Sequence, residues 1–147
     1  MFGPSQPVDT GLASLLVDTG PDRSAQKYAM KALAACQENI NQLRRNETLV
    51  LLAYDATSAG ARIIAVTNRG VAAMTKRKIE TQFSFHEIAE TKLLRHPRGI
   101  IVVVETHHAQ NDFLPDDWRR HEHTMQFFAA TPGAAKRVCG AIDPHLN

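Results

Sequence analysis

The fold of this chain is decided by residues 62–74, which read RIIAVTNRGVAAM. Two runs of β-branched or small apolar residues flank a connection made by Asn68, Arg69 and Gly70, a pattern typical of a β-hairpin. Gly70 is able to adopt the positive φ angle that a three-residue turn with a bulge requires, so the sequence predicts that turn type. The hairpin would fix the register of two neighbouring strands.

Short strands are predicted on both sides of this hairpin. Residues 79–85 alternate between apolar and polar side chains, which is typical of a strand with one buried face. Residues 100–104 read IIVVV, which indicates either a strand covered on both faces or one whose outer face meets a helix. With the two hairpin strands, the sequence predicts seven antiparallel strands, the others being Leu49–Tyr54, Ile88–Leu94 and Met125–Ala129.

A helix is predicted to follow the last strand. Thr131 is a suitable N-cap, and Pro132 suits the first helical position. One face of this helix is apolar and consists of Ala134, Ala135, Val138, Cys139 and Ile142. The predicted fold class is therefore mainly β with a C-terminal helix. A second arrangement, an open α+β sheet with both helices on one face, has the same strands.

The N-terminal part divides into an arm and a helix. Residues 1–23 are rich in Gly, Pro, Ser and Asp, which predicts a flexible arm that docks, if at all, by Leu12, Leu15, Leu16 and Val17. Ser24 is the predicted N-cap of a helix over residues 24–46. The narrow apolar seam of residues 24–45 either covers the chain's own domain or pairs with a second copy in a homo-oligomer.

Length and composition exclude several classes of protein. The 147 residues suit one domain, and 44% hydrophobic content is enough for a packed core. The net charge of +2 is far below that of a dedicated nucleic-acid binder, so no nucleic-acid partner is expected. No apolar run is long enough for a transmembrane segment. The two cysteines have no CxxC spacing and the N-terminus has no signal-like apolar region, which together predict a cytoplasmic protein with reduced thiols.

Several segments resemble bacterial pleckstrin-homology-like (PH-like) domains. These are ETLV at 47–50, AVTNRGV at 65–71, FHEI at 85–88 and the pair Phe127-Phe128. The resemblance implies a seven-stranded, partly open barrel over residues 47–142, capped by the C-terminal helix and followed by a tail at 143–147. It also implies no enzymatic activity and no cofactor. Lipid-binding members carry basic residues between the first two strands, whereas residues 55–61 have none, so phosphoinositide recognition is not expected.

Four of the seven histidines bracket a long connection between the last two strands. If those strands pair, the side chains of Glu105, His107, His121 and His123 would share one face. Imidazole and carboxylate groups are suitable zinc ligands, so loop 105–123 is a candidate metal site, and its function would be that of a metal-dependent hydrolase or metal carrier. No recognised ligand motif is present, and an exposed polar rim explains the same residues.

Charge is distributed unevenly along the chain. Residues 62–98 carry eight basic and three acidic side chains, a net charge of +5, whereas residues 99–123 carry −3. We therefore predict a basic edge consisting of Lys76, Arg77, Lys78, Arg95 and Arg98. It is either an ordinary solvated surface or a contact for an acidic protein or a membrane surface.

The long connection also holds the only tryptophan. Trp118 with Arg119 and Arg120 has the composition of an interface hot spot, and Phe113 and Leu114 lie beside it in sequence. The alternative is that the aromatic and apolar side chains fold back over the barrel. The sequence thus favours a non-enzymatic module that binds a protein partner through this loop or an exposed strand edge, with self-association as a second possibility.

Overall fold

A computed structural model of the chain describes residues 10–56, 61–110 and 123–146. These residues form three α-helices and seven strands. The helices are α1 (Thr10–Leu15), α2 (Arg23–Arg44) and α3 (Pro132–Ile142). The strands are β1 (Leu49–Tyr54), β2 (Arg62–Thr67), β3 (Gly70–Thr75), β4 (Ile79–Ser84), β5 (Ile88–His96), β6 (Gly99–Thr106) and β7 (Thr124–Ala129).

The strands make two antiparallel sheets rather than one closed barrel. The first sheet has the order β1-β2-β3-β4 and the second has the order β5-β6-β7. The prediction of a mainly β protein with seven antiparallel strands and a C-terminal helix is confirmed. A short 3₁₀ helix, Phe85–Glu87, leads from the first sheet into the second.

The central hairpin differs from the prediction in its turn. β2 and β3 pair from Arg62↔Thr75 to Val66↔Val71, with Asn68 and Arg69 between them. The expected positive φ at Gly70 is wrong, since among the described glycines only Gly20 and Gly99 have one. Gly70 instead lies within β3 opposite Ser84, so close to β4 that a Cβ atom would overlap the carbonyl oxygen of Phe83. The glycine is needed for close strand approach rather than for turn geometry.

Both faces of the first sheet are buried, which explains the apolar runs of the hairpin. On one face, Ile64, Val66 and Val71 join the second sheet and α3 in the main core. On the other face, Ile63 and Ala65 pack under α2 in a second cluster. The two large helices therefore cover opposite faces of the first sheet, and the alternative with both helices on one face is wrong.

The N-cap of helix α2 lies two residues earlier than predicted. The N-cap is Asp22, whose Oδ1 accepts a hydrogen bond from the Ser24 backbone N–H at 2.8 Å, so Ser24 is not the cap. The seam of Ala29, Leu33, Cys36, Ile40 and Leu43 is buried against the chain's own first sheet. This seam therefore presents no free apolar surface to a second copy.

The ends of the described chain are packed rather than free. Within the expected flexible arm, α1 places Leu12 in the second cluster, and Val17 reaches the main core. At the other end, Asp143–His145 form a 3₁₀ helix, and Leu146 packs against the main core. The apolar residues in each segment stabilise these positions. None of the described helices has the length and apolar character to cross a membrane.

Candidate interaction site

The outer edge of β1 is covered by the N-terminal segment. Leu16 forms a parallel bridge with Leu52, and the Val17 backbone N–H donates to the Leu52 carbonyl oxygen at 2.8 Å. Thr131, the confirmed N-cap of α3, also donates its hydroxyl to the Asp18 carbonyl oxygen at 3.5 Å. This edge therefore already has a partner within the chain.

The outer edge of β7 is covered by residues that follow β1. The Phe128 carbonyl oxygen accepts a hydrogen bond from the Ala56 N–H at 3.0 Å, and the Phe128 N–H donates to Asp55 Oδ1 at 3.2 Å. Arg62 Nη1 donates to the Gln126 carbonyl oxygen at 2.7 Å. Three backbone groups of β7 are thus satisfied without a neighbouring strand.

The outer edges of the other two terminal strands, β4 and β5, are not covered in this way by any described residue. Across the described ranges, no strand pairs with either of them. β4 is six residues long and exposes no large apolar side chain, whereas β5 is nine residues long. Leu93 and Leu94 of β5 are 45% and 47% exposed. We call the unpaired side of Ile88–His96 the open edge; unpaired backbone groups beside exposed apolar side chains suit the addition of another strand.

The side chains of β5 alternate between two environments. Thr91 and Leu93 lie opposite Val104 and Val102, both fully buried beneath α3, so these two β5 residues face the core side. The Thr91 hydroxyl donates to Asp143 Oδ1 at 2.6 Å, which ties β5 to the segment after α3. The core side of the open edge is therefore bordered by the C-terminal end of α3.

The other face of β5 carries a small charge network. Lys92 Nζ lies 3.4 Å from Glu90 Oε1 and 3.3 Å from Glu105 Oε1. The hydrogen bond to Glu105 and its negative charge raise the pKa of the Lys92 ammonium. Leu94 continues this face opposite Ile101. The open edge therefore carries the Glu90–Lys92 ion pair near its N-terminal end, and Leu94 follows on the same face.

The predicted basic edge is divided between the turn that follows β3 and the end of β5 with the turn that follows it. Lys76, Arg77 and Lys78 are exposed in the turn between β3 and β4. Arg95 lies in the exposed C-terminal half of β5, and Arg98 lies in the following turn. These side chains are all exposed, so the structure is compatible with both a solvated surface and an acidic contact.

The predicted metal ligands do not converge in the described part of the chain. Glu105 is engaged by Lys92, and the ring that stacks on His123 is that of His108, at 4.9 Å, rather than His107. Across residues 10–56, 61–110 and 123–146, no group of three or more candidate ligands is close enough to hold a metal ion. His121 lies outside the described residues.

The predicted hot spot also lies outside the described residues. This applies to its five members, Phe113, Leu114, Trp118, Arg119 and Arg120. One cleft of about 390 Å³ occurs elsewhere, at the end of the first sheet. There both Glu47 carboxylate oxygens are engaged, by the Thr67 hydroxyl at 2.6 Å and the Gln82 amide at 3.0 Å, which leaves the cleft without a free carboxylate from that residue.

Neither cysteine is placed for nucleophilic chemistry. Cys36 and Cys139 are both buried and unpaired. Burial raises the pKa of the Cys36 thiol to about 11 and also raises the pKa of Cys139. A thiol held in its neutral form is a poor nucleophile, so both side chains act as small apolar groups in the core, as predicted for Cys139.

The open edge was not singled out by the sequence, although β5 itself was predicted. Strand order decides which edges stay unpaired, and that order depends on contacts between distant segments. One feature of the sequence does point to this edge. After Thr91, the residues KLLRH no longer alternate strictly between apolar and polar side chains, which is typical of a strand whose end is exposed on both faces. No protein-family model, curated protein or solved structure matches this chain.

Proposed function

We propose that the protein is a non-enzymatic interaction module of PH-like architecture, acting in the cytoplasm, which binds an extended protein segment by strand addition at the open edge. The observation that carries this proposal is the contrast between edges. The edges of β1 and β7 are covered by the chain itself, whereas β5 offers nine residues with two exposed leucines. Main-chain hydrogen bonds would supply affinity, and alternate side-chain contacts would supply selectivity.

The arrangement of elements supports the PH-like assignment. Four strands form the first sheet, three form the second, and α3 packs between them after β7. The same order underlies the resemblance in sequence. The added α2 covers the outside of the first sheet, which leaves the second sheet as the place for a partner.

A photo-crosslinking amino acid at two matched positions tests this function in cells. Leu93 and Val50 are both 45% exposed and both lie on edge strands, but the edge of β1 is covered by the N-terminal segment whereas that of β5 is not paired in the described ranges. We expect a covalent adduct with another polypeptide at position 93 and none at position 50. Mapping the adduct by mass spectrometry should identify a contiguous segment with alternating contacts. Equal yields at the two positions, or no adduct at position 93, would contradict the proposal.

A further inference from the structure

The open edge is complementary to itself, which identifies an occupant for it. Building on the proposed function, we propose that the added strand is β5 of a second copy, paired antiparallel about a two-fold axis that lies midway between Leu93 and the equivalent leucine of the second copy. The two three-stranded sheets would then form one continuous six-stranded sheet. The interface is isologous, so each contact away from the axis occurs twice.

The regular part of β5 determines the centre of this pairing. β5 has a bulge between Ile88 and Glu90, after which the register with β6 is regular from Glu90 to His96. The midpoint of that regular segment is Leu93. A two-fold axis perpendicular to a sheet passes midway between the two equivalent residues of the central pair. Choosing Leu93 as that residue gives the longest overlap free of the bulge.

Charge disfavours the neighbouring centre at Lys92. An axis at Lys92 would place two ammonium groups directly opposite each other, which is unfavourable in an antiparallel pair. An axis at Leu93 instead places Glu90 opposite His96 of the second copy, and Lys92 opposite its Leu94. No like charges face each other in this register. It also places a side chain of the second copy beside each of the two most exposed leucines of the described chain, which reduces their contact with water.

A further charge pair forms on the core side. With the axis at Leu93, Arg95 of the second copy lies opposite Thr91, whose hydroxyl is bonded to Asp143. The guanidinium would therefore reach the exposed Asp143 carboxylate, and symmetry repeats the contact. Arg95 and Asp143 have no ion pair with each other within one copy, because they border opposite ends of the same open edge.

Cysteine substitutions test the register directly. In an antiparallel pair, only the residue next to the two-fold axis faces its own equivalent at a distance suitable for a disulfide. Under mild oxidation, Leu93→Cys should give a covalent dimer, whereas Lys92→Cys and Leu94→Cys alone should not. A mixture of the last two variants should form the mixed dimer. The wild type is the control, because Cys36 and Cys139 are both buried.

A charge exchange tests the contact with Asp143. By analytical ultracentrifugation, Arg95→Glu and Asp143→Lys should each raise the dimer dissociation constant about tenfold or more, since each removes two contacts. The double variant should restore dimerisation. Three results would each overturn the inference. These are a monomeric wild-type chain, a self-linked dimer of Lys92→Cys or Leu94→Cys that forms as readily as that of Leu93→Cys, and a double variant that fails to dimerise. A monomer that still forms an adduct with a different polypeptide at position 93 would overturn it and leave the proposed function intact.

Discussion

Asp55 and Arg62 form an ion pair beside the edge of β7, with Arg62 Nη1 2.8 Å from Asp55 Oδ2. Asp55 is only 5% exposed, and its other oxygen accepts the Phe128 N–H. Arg62 in turn donates to the Gln126 carbonyl oxygen. One pair of side chains from the first sheet thus covers the edge of β7, and this is the reason that β5, rather than β7, carries the open edge of the second sheet.

Replacing Asp55 should therefore be costly. Asp55→Ala leaves the largely buried Arg62 guanidinium with Glu80, an exposed carboxylate, as its remaining ion-pair partner and leaves the Phe128 N–H without its carboxylate acceptor. We expect this to lower the free energy of unfolding by about 3 kcal/mol. Glu80→Gln is the matched control, because Glu80 is the exposed partner of the same arginine at 3.2 Å. It should cost less than about 1 kcal/mol. Urea denaturation measures both, and equal losses would show that Asp55 does not hold the sheets together.

Glycine-to-alanine substitutions at two positions should have opposite signs. At Gly70, a Cβ atom would lie 2.8 Å from the carbonyl carbon of Phe83 and closer still to its oxygen, so Gly70→Ala must push β3 from β4. We expect a loss of about 2 to 4 kcal/mol. At Gly140 in α3, nothing lies within 4 Å of the added atom, and Gly140→Ala should stabilise by about 0.5 to 1 kcal/mol. Thermal melts of the two variants measure both changes in stability. A Gly70→Ala variant as stable as the wild type would contradict the close approach of β3 and β4.

The buried thiol of Cys36 should make the protein less stable at alkaline pH. Its pKa is about 11 in the folded chain against 9.0 for an unperturbed thiol. As the pH rises from 9 to 11, the unfolded chain loses a proton that the folded chain retains, so the free energy of unfolding falls. Cys36→Ala should remove the part of this decrease in unfolding free energy that the Cys36 thiol causes, even if the substitution also changes the stability at pH 7. The check is the slope of unfolding free energy against pH for the two proteins; identical slopes would contradict it.

Thiol reactivity gives an independent measure of the same burial. At pH 8 a thiol with this pKa is only about 0.1% thiolate, compared with about 10% for an unperturbed one. Ellman's reagent should therefore modify neither Cys36 nor Cys139 in the folded protein, and both after denaturation. Rapid reaction of one thiol without denaturant would show that its part of the core opens.

The sequence predicts individual strands and helices better than it predicts which of them lie next to each other in the fold. The apolar runs of β2 and β6 and the N-cap at Thr131 identify strands and a helix, because hydrophobic pattern and helix capping are local features of the sequence. The position of Gly70 was predicted for the wrong physical reason, since turn geometry and close strand approach both favour glycine. The Asp55–Arg62 pair and the open edge depend on strand order, which residue patterns do not encode.

The hot spot predicted at Trp118 remains a prediction from sequence. Trp118→Ala should weaken capture of a protein partner by about 2 kcal/mol or more and leave the thermal midpoint nearly unchanged. If the side chain instead covers the core, truncation should cost about 3 to 5 kcal/mol of stability with capture intact. A pull-down and a melt on the same variant distinguish these two roles.

The C-terminal tail should contribute to stability through one stacked pair. The rings of Phe85 and His145 lie 4.1 Å apart and within 4° of parallel, and both Phe85 and Leu146 pack against the main core. His145→Ala should cost about 1 kcal/mol, which is typical of an aromatic pair, whereas His145→Phe retains the ring and should cost less. Ending the chain after Ile142 should cost more than His145→Ala, because it also removes Leu146 and the Asp143 acceptor of Thr91. Urea denaturation of the three variants gives the order. Equal stability of His145→Ala and His145→Phe would show that the stack contributes nothing.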